Sequence, residues 1–236
     1  DGSKSLTISA VFQIRATISG TYYGTISASA NITLDSIPRA SSVSAGNMTM
    51  GSAGTITISR ASSSFTHTLT YSFGNTSGTI ATKTTATSVS WTPALSLASQ
   101  IPNAISGTCT ITCTTYNGNT NIGSKTCTLT LSIPASVKPT ISSLTASRID
   151  GEVPSTWGIY VQTKSKVKLT INGAAGSYGS TIKSFSITGG GYSGSTSTLT
   201  TGFLNNSGTI TFKATVTDSR GRVSAEASVS ITVTAY

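Results

Sequence analysis

One unit of this chain is written twice. The tripeptide Ser-Gly-Thr begins at Ser106 and again at Ser207, 101 residues later (207 − 106). The pattern Pro-x-x-Ser-Ser-(Val/Leu)-x-Ala begins at Pro38 and again at Pro139, at the same separation (139 − 38). A repeat of this kind marks a duplicated structural unit, so it limits the fold before any other feature is considered. It predicts three regions: an amino-terminal segment at 1–37, module one at 38–135 and module two at 136–236.

Both modules contain short segments in which apolar and polar residues alternate, the pattern of half-buried β-strands. Turn-forming pairs such as Gly74-Asn75 and Asn117-Gly118 separate these segments, and 93–101 allows at most a turn or two of helix. About seven short strands per ~100 residues are typical of an immunoglobulin-like β-sandwich. The sequence therefore predicts an all-β protein with two such sandwiches in tandem. The predicted strands are 55–59, 65–73, 88–92, 105–113 and 125–133 in module one, and 166–171, 184–188, 209–217 and 227–234 in module two.

The amino-terminal segment reads as a long β-hairpin at 4–36, with apolar residues alternating on both sides of a turn at Gly20. An isolated hairpin is marginal in water, so its apolar face needs a partner. Three partners remain open: an upstream β-rich domain of which the hairpin is the end, module one, or a second copy of the chain. The connectors at 35–39 and 132–139 are short and contain proline, which makes them semi-rigid and predicts an elongated rod.

The net charge is strongly positive, with 15 Lys and Arg against 6 Asp and Glu, a formal +9. This balance favours an anionic partner, such as nucleic acid, an acidic cell-wall polymer or a membrane surface. The alternative is that a chain with only 9% charged residues carries this charge for solubility. No apolar run approaches the ~20 residues of a membrane span, and no signal-peptide pattern opens the chain, which starts at Asp1 and is open to being a fragment.

Three lysines, Lys164, Lys166 and Lys168, alternate along one predicted strand, and Lys213 on a neighbouring strand is expected to join them. Such a strip would bind anions, for example a phosphate-rich wall polymer. The alternative is an edge strand that its lysines protect against aggregation. Nucleic acid is not expected as a ligand, because the strip lacks interleaved aromatic residues for base stacking.

Glycines at 189, 191 and 194 match the dinucleotide-binding fingerprint, but a strand-like segment follows where that motif needs a helix. The segment is therefore predicted to be a turn with Tyr192 at its tip. Exposed tyrosines at Tyr192, Tyr22 and Tyr23 are candidates for stacking on sugars, with ordinary hairpin packing as the alternative. Trp91 and Trp157 are predicted to pack in a core or between modules.

The residues that usually carry catalysis or bind metals are few. Cys109, Cys113 and Cys127 share the parity of core residues. Either Cys113 and Cys127 form a cross-strand disulfide in a hairpin folded about Thr120, or all three are buried thiols. His67, the only histidine, is predicted to be a packed residue, because the six acidic residues are scattered. Asp150-x-Glu152 is interpreted as a solvated loop rather than a calcium site. No catalytic residue, metal or cofactor is predicted.

Four segments together resemble the minor structural proteins of long-tailed phages that infect Gram-positive bacteria: IPRASS at 37–42, GIYVQTKSKV at 158–167, YGSTIKS at 178–184 and VTDSRGR at 216–222. These are tail-tip or fibre chains in which tandem immunoglobulin-like modules follow an amino-terminal β-rich region. The resemblance covers most of the chain and is most specific in module two. It implies a virion component that acts at the host surface.

The expected function is accordingly that of a non-enzymatic rod in a phage tail tip or fibre, with other tail proteins as partners and an anionic wall polymer or glycan as ligand. Nucleic-acid binding and membrane insertion are not expected, whereas a homo-oligomer remains open. The first alternative is a bacterial surface adhesin or carbohydrate-binding module. The second is a wall hydrolase, against which the single histidine and the absence of a carboxylate pair argue.

Overall fold

A computed structural model describes residues 12–18, 20–28, 39–149 and 151–236. Strands β1 (Phe12–Ile18) and β2 (Thr21–Ala28) form an antiparallel hairpin around Gly20, whose φ of 83° is one that glycine adopts without strain. Ile14 lies opposite Ile26, and the register shifts between Arg15 and Thr17. The hairpin is confirmed over these strands, while the remainder of the predicted 4–36 lies outside the described residues.

Module one is a sandwich of two sheets, one antiparallel sheet of three strands and one mixed sheet of five. The three-stranded sheet has the order β3-β5-β8, and the five-stranded sheet has the order β4-β10-β9-β6-β7, in which β4 runs parallel to β10. A short 3-10 helix, Leu95–Gln100, connects β8 to β9. The strands are β3 (Ser42–Ala45), β4 (Met48–Thr49), β5 (Gly54–Ser59), β6 (Phe65–Phe73), β7 (Thr76–Thr84), β8 (Ser88–Trp91), β9 (Ser106–Asn117) and β10 (Thr120–Ser132).

The core of module one lies between these sheets, because alternate residues of each strand point inward. Ile56 and Ile58 come from the smaller sheet, and Leu69, Phe73 and Ile111 come from the larger one; all five are buried. Full burial of a large apolar side chain contributes about 1.5–3 kcal/mol. Module one therefore has a hydrophobic core of its own.

Module two repeats this arrangement. Its sheets have the orders β11-β13-β16 and β12-β18-β17-β14-β15, and β12 again runs parallel to the last strand. A 3-10 turn at Ser155–Trp157 precedes β12. The strands are β11 (Ser143–Ile149), β12 (Tyr160–Val161), β13 (Lys166–Asn172), β14 (Ile182–Gly189), β15 (Tyr192–Gly194), β16 (Thr198–Thr200), β17 (Gly208–Asp218) and β18 (Ala227–Thr234).

The second core is built in the same way as the first, from Val167 and Leu169 on the smaller sheet and Ile187, Phe212 and Val216 on the larger. The fold is thus all-β, with two immunoglobulin-like sandwiches in tandem, as the alternating patterns predicted. The repeated Ser-Ser-(Val/Leu) motif supplies the first strand of each sandwich, where Val43 and Leu144 are both buried.

Candidate functional site

The most elaborate polar structure in the described residues is the loop between β17 and β18, which is built on the buried carboxylate of Asp218. The Oδ1 atom of Asp218 accepts hydrogen bonds from the main-chain N–H groups of Arg220 (3.0 Å) and Arg222 (2.9 Å). The Asp218 main chain also bonds to Gly221 and Arg222, and Gly221 has a positive φ of 79°. The turn therefore has a fixed shape that presents two arginine side chains.

Arg220 crosses from module two to module one. Its Nη2 donates to the carbonyl of Ala98 (2.8 Å) and its Nε to that of Ile101 (3.3 Å), at the end of the 3-10 helix of module one. Within module two, Nη1 bonds to the carbonyl of Ser177 (2.6 Å) and Nη2 to that of Tyr178 (2.7 Å). Arg220 as a whole residue is only 8% exposed. One guanidinium thus joins the two sandwiches.

Two neighbours of Arg220 extend the contact. Arg222 donates to the carbonyls of Ile133 (2.7 Å), Pro134 and Val137 (2.7 Å), all in the connector between the modules. The hydroxyl of Ser219 donates to the carbonyl of Pro102 in module one (2.6 Å). We call Asp218, Ser219, Arg220 and Arg222 the arginine clasp. It fastens module two to both the body of module one and the connector.

Burial lowers the pKa of Arg220 from its ordinary value, the carboxylate of Asp218 acts in the opposite direction, and the charge of Arg222 adds to the lowering. Arginine stays protonated in proteins, so a buried cation is held between carbonyl oxygens. Hydrogen bonds from a charged donor contribute about 1.5–3 kcal/mol each, and removal of such a donor leaves buried acceptors without a partner. Sequence reasoning missed this site. The signal was a compact Asp-Ser-Arg-Gly-Arg loop in a chain with few charges.

The predicted lysine strip is wrong for Lys213, whereas anion binding by the other three lysines stays a prediction. Lys164 precedes β13 and forms an ion pair with Glu152 (2.6 Å), which raises the lysine pKa through its hydrogen bond and charge. Lys213 lies on β17 in the opposite sheet and pairs with Glu226 (3.0 Å). Lys166 and Lys168 remain together on β13. The edge-strand alternative is also wrong, because β13 lies between β11 and β16.

An open hollow of about 170 Å³ lies beside Lys166 at the carboxy-terminal end of module two. Phe203 lines the hollow, and the Lys166 Nζ atom lies 4.6 Å from its ring centroid. Trp157 and Tyr236 are also exposed in module two, by 61% and 84%. The prediction that Trp157 packs in a core or between modules is therefore wrong. Trp91 does pack on the first core, with its ring centroid 5.1 Å from that of Tyr71.

The glycine-rich segment is a hairpin turn, as predicted, with Gly190 and Gly191 joining β14 to β15. A Cβ atom at Gly189 would lie 2.5 Å from the Thr211 carbonyl oxygen, which explains the glycine there. Tyr192 is not the exposed tip residue that was predicted. It is half-buried against the second core, and its hydroxyl donates to the Phe203 carbonyl (2.6 Å). Tyr22 and Tyr23 lie in β2, whose side chains are outside the described structure.

The cross-strand disulfide considered for Cys113 and Cys127 is not formed. The β9–β10 hairpin places Lys125 opposite Cys113 and Ile111 opposite Cys127, so the two cysteines are offset by two residues. All three cysteines are free thiols, with Cys109 and Cys113 buried. Burial raises the pKa of the Cys109 thiol to about 11, while a main-chain hydrogen bond partly opposes the rise. The alternative of small buried hydrophobic thiols is the one that the structure adopts.

His67 is a buried residue of module one, as predicted. Its Nε2 atom hydrogen-bonds to the hydroxyl of Ser41 (2.8 Å), which is also buried. Burial lowers the pKa of His67, the main chain of Thr84 acts in the opposite direction, and the charge of Arg60 adds to the lowering. A serine beside a histidine resembles a nucleophile and its base, but residues 39–135 contain no Asp or Glu to orient the histidine. Both residues of the pair are buried in module one.

The family described as "Siphovirus protein of unknown function (DUF859)" matches residues 1–236. The chain belongs to this siphovirus family. None of the curated proteins matches it.

Three solved structures are among those that match this siphovirus protein. The fibronectin(III)-like modules of Clostridium thermocellum CbhA are 16% identical, with 82% of this chain and 94% of that chain covered and a TM-score of 0.34. Domains FN1-FN3 of chicken CNTN1 are 11% identical (94% and 76% covered, TM-score 0.30). Domains A168-A170 of titin are 16% identical (96% and 75% covered, TM-score 0.31).

The described part of this siphovirus protein contains no group of three or more His, Cys, Asp or Glu residues placed to hold a metal ion. Over the same residues, no helix has the length and apolar character needed to cross a membrane. Asp150 of the acidic loop lies outside the described residues, and Glu152 is occupied by Lys164.

Proposed function

We propose that this chain is a non-enzymatic structural segment of a phage tail tip or fibre that takes part in attachment to the surface of a Gram-positive host. The observation that carries the proposal is the arginine clasp. It fixes one sandwich to the next through the carbonyls of Ala98, Ile101 and Pro102 and of the connector. Tandem domains joined in this way act as a stiff spacer, which a tail component needs. Membership of a siphovirus family supports a place in the virion.

The contacts with the host are proposed to be weak, numerous and partly electrostatic. Lys166 and Lys168 supply positive charge on one face of module two, and copies displayed on one virion add their contacts by multivalency. The proposed partners are other tail proteins and an anionic wall polymer or glycan, with no nucleic acid, no membrane insertion and no cofactor. Residues 1–37 are proposed to be the end of an upstream β domain or an oligomerisation arm.

A carbohydrate-binding module of a surface adhesin is the second candidate, and one observation favours it. Trp157, Phe203 and Tyr236 are exposed aromatic residues of module two. Aromatic faces stack on sugar rings, and such binding depends little on salt. The two candidates therefore differ in their response to ionic strength.

The location is tested by electron microscopy of virions labelled with an antibody against module two. Label at the tail tip or fibre is expected. Label on the capsid or tail tube, or none on intact virions, would contradict the proposal.

The attachment is tested with the purified chain and whole Gram-positive cells, in ~0.05 M and in several hundred millimolar salt. The test variant is Lys166→Ser/Lys168→Ser, and the matched control is Lys164→Ser/Lys213→Ser, whose lysines already have carboxylate partners. Electrostatic attachment should weaken with salt and with the test variant, because exposed charges are screened within about 8–10 Å. Salt-resistant binding that Trp157→Ala abolishes would favour the carbohydrate candidate. No binding would restrict the chain to the role of spacer.

A further inference from the structure

A second basic site lies on module one, at the end opposite the arginine clasp. It is an open hollow of about 330 Å³ lined by Arg39, Arg60, three serines (Ser41, Ser42 and Ser59) and two alanines. Strand β5 ends at this hollow with Ser59, which pairs with Ser42. The antiparallel strand β8 ends at the other end of the sheet, where the 3-10 helix meets the clasp. The hollow is therefore separate from the joint between the modules and from the lysines of β13.

Across the described residues, neither arginine of the hollow has a carboxylate partner. Residues 39–135 contain four Lys and Arg and no Asp or Glu. The acidic residues of the described structure, Glu152, Asp218 and Glu226, belong to module two, and across the described ranges neither arginine forms an ion pair. In the clasp, by contrast, the arginines are occupied by carbonyl oxygens. Among the described residues, the positive charge at this end of module one is therefore available to an external anion.

Part of the hollow is already rigid. The Nη1 atom of Arg60 donates to the Thr85 carbonyl (2.6 Å), which fixes the direction of its guanidinium. On the floor, the main-chain N–H of Ser41 donates to the Thr115 hydroxyl (2.9 Å), and the Ser41 hydroxyl bonds to His67. These partners are buried, so the floor holds its shape without a ligand. A preorganised site loses less conformational entropy when it binds.

We propose that this hollow binds a phosphate group, as a monoester or within a phosphodiester. A guanidinium presents a planar fork of N–H donors that matches the oxygens of a tetrahedral oxyanion, and two forks can engage one group. The exposed hydroxyls of Ser42 and Ser59 add neutral donors at the rim. The inference rests on the geometry of module one and does not depend on host attachment.

The test uses the full chain labelled with ¹⁵N and titrated with inorganic phosphate at constant ionic strength, with chloride and acetate as parallel arms. Saturable shifts confined to the amides of Ser41, Ser42 and Ser59 are expected with phosphate only. Arg39→Ser/Arg60→Ser should weaken binding at least tenfold. Lys83→Ser/Lys125→Ser, which removes the same charge from module one, should leave it unchanged. Arg39→Ser alone provides the result if the double variant unfolds, since Arg39 is exposed and precedes β3.

Equal weakening in the lysine control would overturn the proposal in favour of general net charge. Equal shifts with acetate would overturn it in favour of any small anion, and the absence of saturable shifts would remove the site. A further arm compares inorganic phosphate with a glycerol-phosphate polymer, which separates a site for the free anion from one for a chain of phosphodiesters. Phosphate binding without cell binding would leave this proposal standing and count only against host attachment.

Discussion

The two modules pass from their penultimate strand to their last strand in different ways. Asn117 and Asp218 occupy the same place in the repeat (218 − 117 = 101). In module one, Asn117 pairs with Thr120 across a two-residue turn, and the hairpin closes on itself. In module two, the Asp218 carboxylate folds the loop, and Arg220 reaches into the neighbouring module.

This difference distinguishes the residues that form the sandwich fold from the residues that determine its contacts. Both modules have the same pattern of strands and a core of inward-facing apolar residues, and these features specify the architecture. The loop residues differ, and they decide whether an end of a module is a joint or an open surface. Among the described residues, module two carries the clasp, and module one carries the hollow whose two arginines have no carboxylate partner.

The largest effect is expected from a large-to-small change in either core. Phe73→Ala in module one and Phe212→Ala in module two each remove a fully buried ring and should destabilise their own module by about 3–5 kcal/mol. Each module has one tryptophan, so urea unfolding of Trp157→Phe and Trp91→Phe backgrounds follows the modules separately. If the clasp couples the modules, Phe73→Ala also shifts the transition reported by Trp157. A shift in the mutated module alone would show that the joint transmits no stability.

Removal of the clasp cation is expected to have the next largest effect. Arg220→Met keeps the length of the side chain but leaves four carbonyls without their donor. We expect the joint to lose about 2–4 kcal/mol and the connector at 133–137 to become sensitive to protease. Limited proteolysis and the coupling between the two tryptophan signals measure the change. Lys168→Met, an exposed change on β13, is the control and should leave both unchanged.

A smaller loss is expected from Asp218→Ala, because this change removes the acceptor that shapes the loop but keeps both arginines. Two N–H groups lose their partner, which should cost about 1–2 kcal/mol. Module two should remain folded, with its core signals intact by NMR, while the contacts with module one weaken. If Asn117→Ala causes an equal loss, the contrast between the two loops is mistaken, since Asn117 is an exposed residue of an ordinary hairpin.

The smallest effect is expected from acid, which should destabilise module one more than module two. His67 is the only histidine, and its folded pKa lies below the ordinary 6.5, so its contribution to stability is present above pH 6.5 and is lost as the pH falls toward the folded pKa. Between pH 7.5 and pH 5.5, module one should lose up to about 1.4 kcal/mol per pH unit, the limit for one proton. Module two should change little. Urea midpoints at each pH measure this, and His67→Gln should remove the slope; a slope that persists in this variant would assign it to other groups.

The alternation of apolar and polar residues predicted the fold class, and all nine strands predicted in the modules are present. A strand that buries one face requires an apolar residue at every second position. The alternation also indicated a strand around Lys213, which lies on β17. It could not assign Lys213 to a sheet, since the period of two gives the face of a strand and not its neighbours. Shorter strands such as β4 and β15 were missed because two or three residues are too few to show a period.

The remaining errors came from register and from partners that have no sequence signature. Cys113 misses Cys127 because the turn lies at Gly118-Asn119 and a shift between Asn121 and Gly123 follows it. Trp157 follows Pro154 in a 3-10 turn away from the joint and is exposed, although its size suggested packing. The clasp was invisible because the groups that Arg220 and Arg222 bind in module one and the connector are main-chain carbonyls, which every residue possesses.

That choice of acceptors has an evolutionary consequence. A loop that hydrogen-bonds only to peptide carbonyls recognises the backbone conformation of the neighbouring module. Side-chain mutations in that module therefore leave the hydrogen bonds intact as long as its backbone conformation is unchanged. A duplicated or recombined gene segment that carries the Asp-Ser-Arg-Gly-Arg loop could therefore attach its product to any preceding sandwich with the same terminal shape. Such a lineage can lengthen or exchange its modules without evolving a matching partner surface each time.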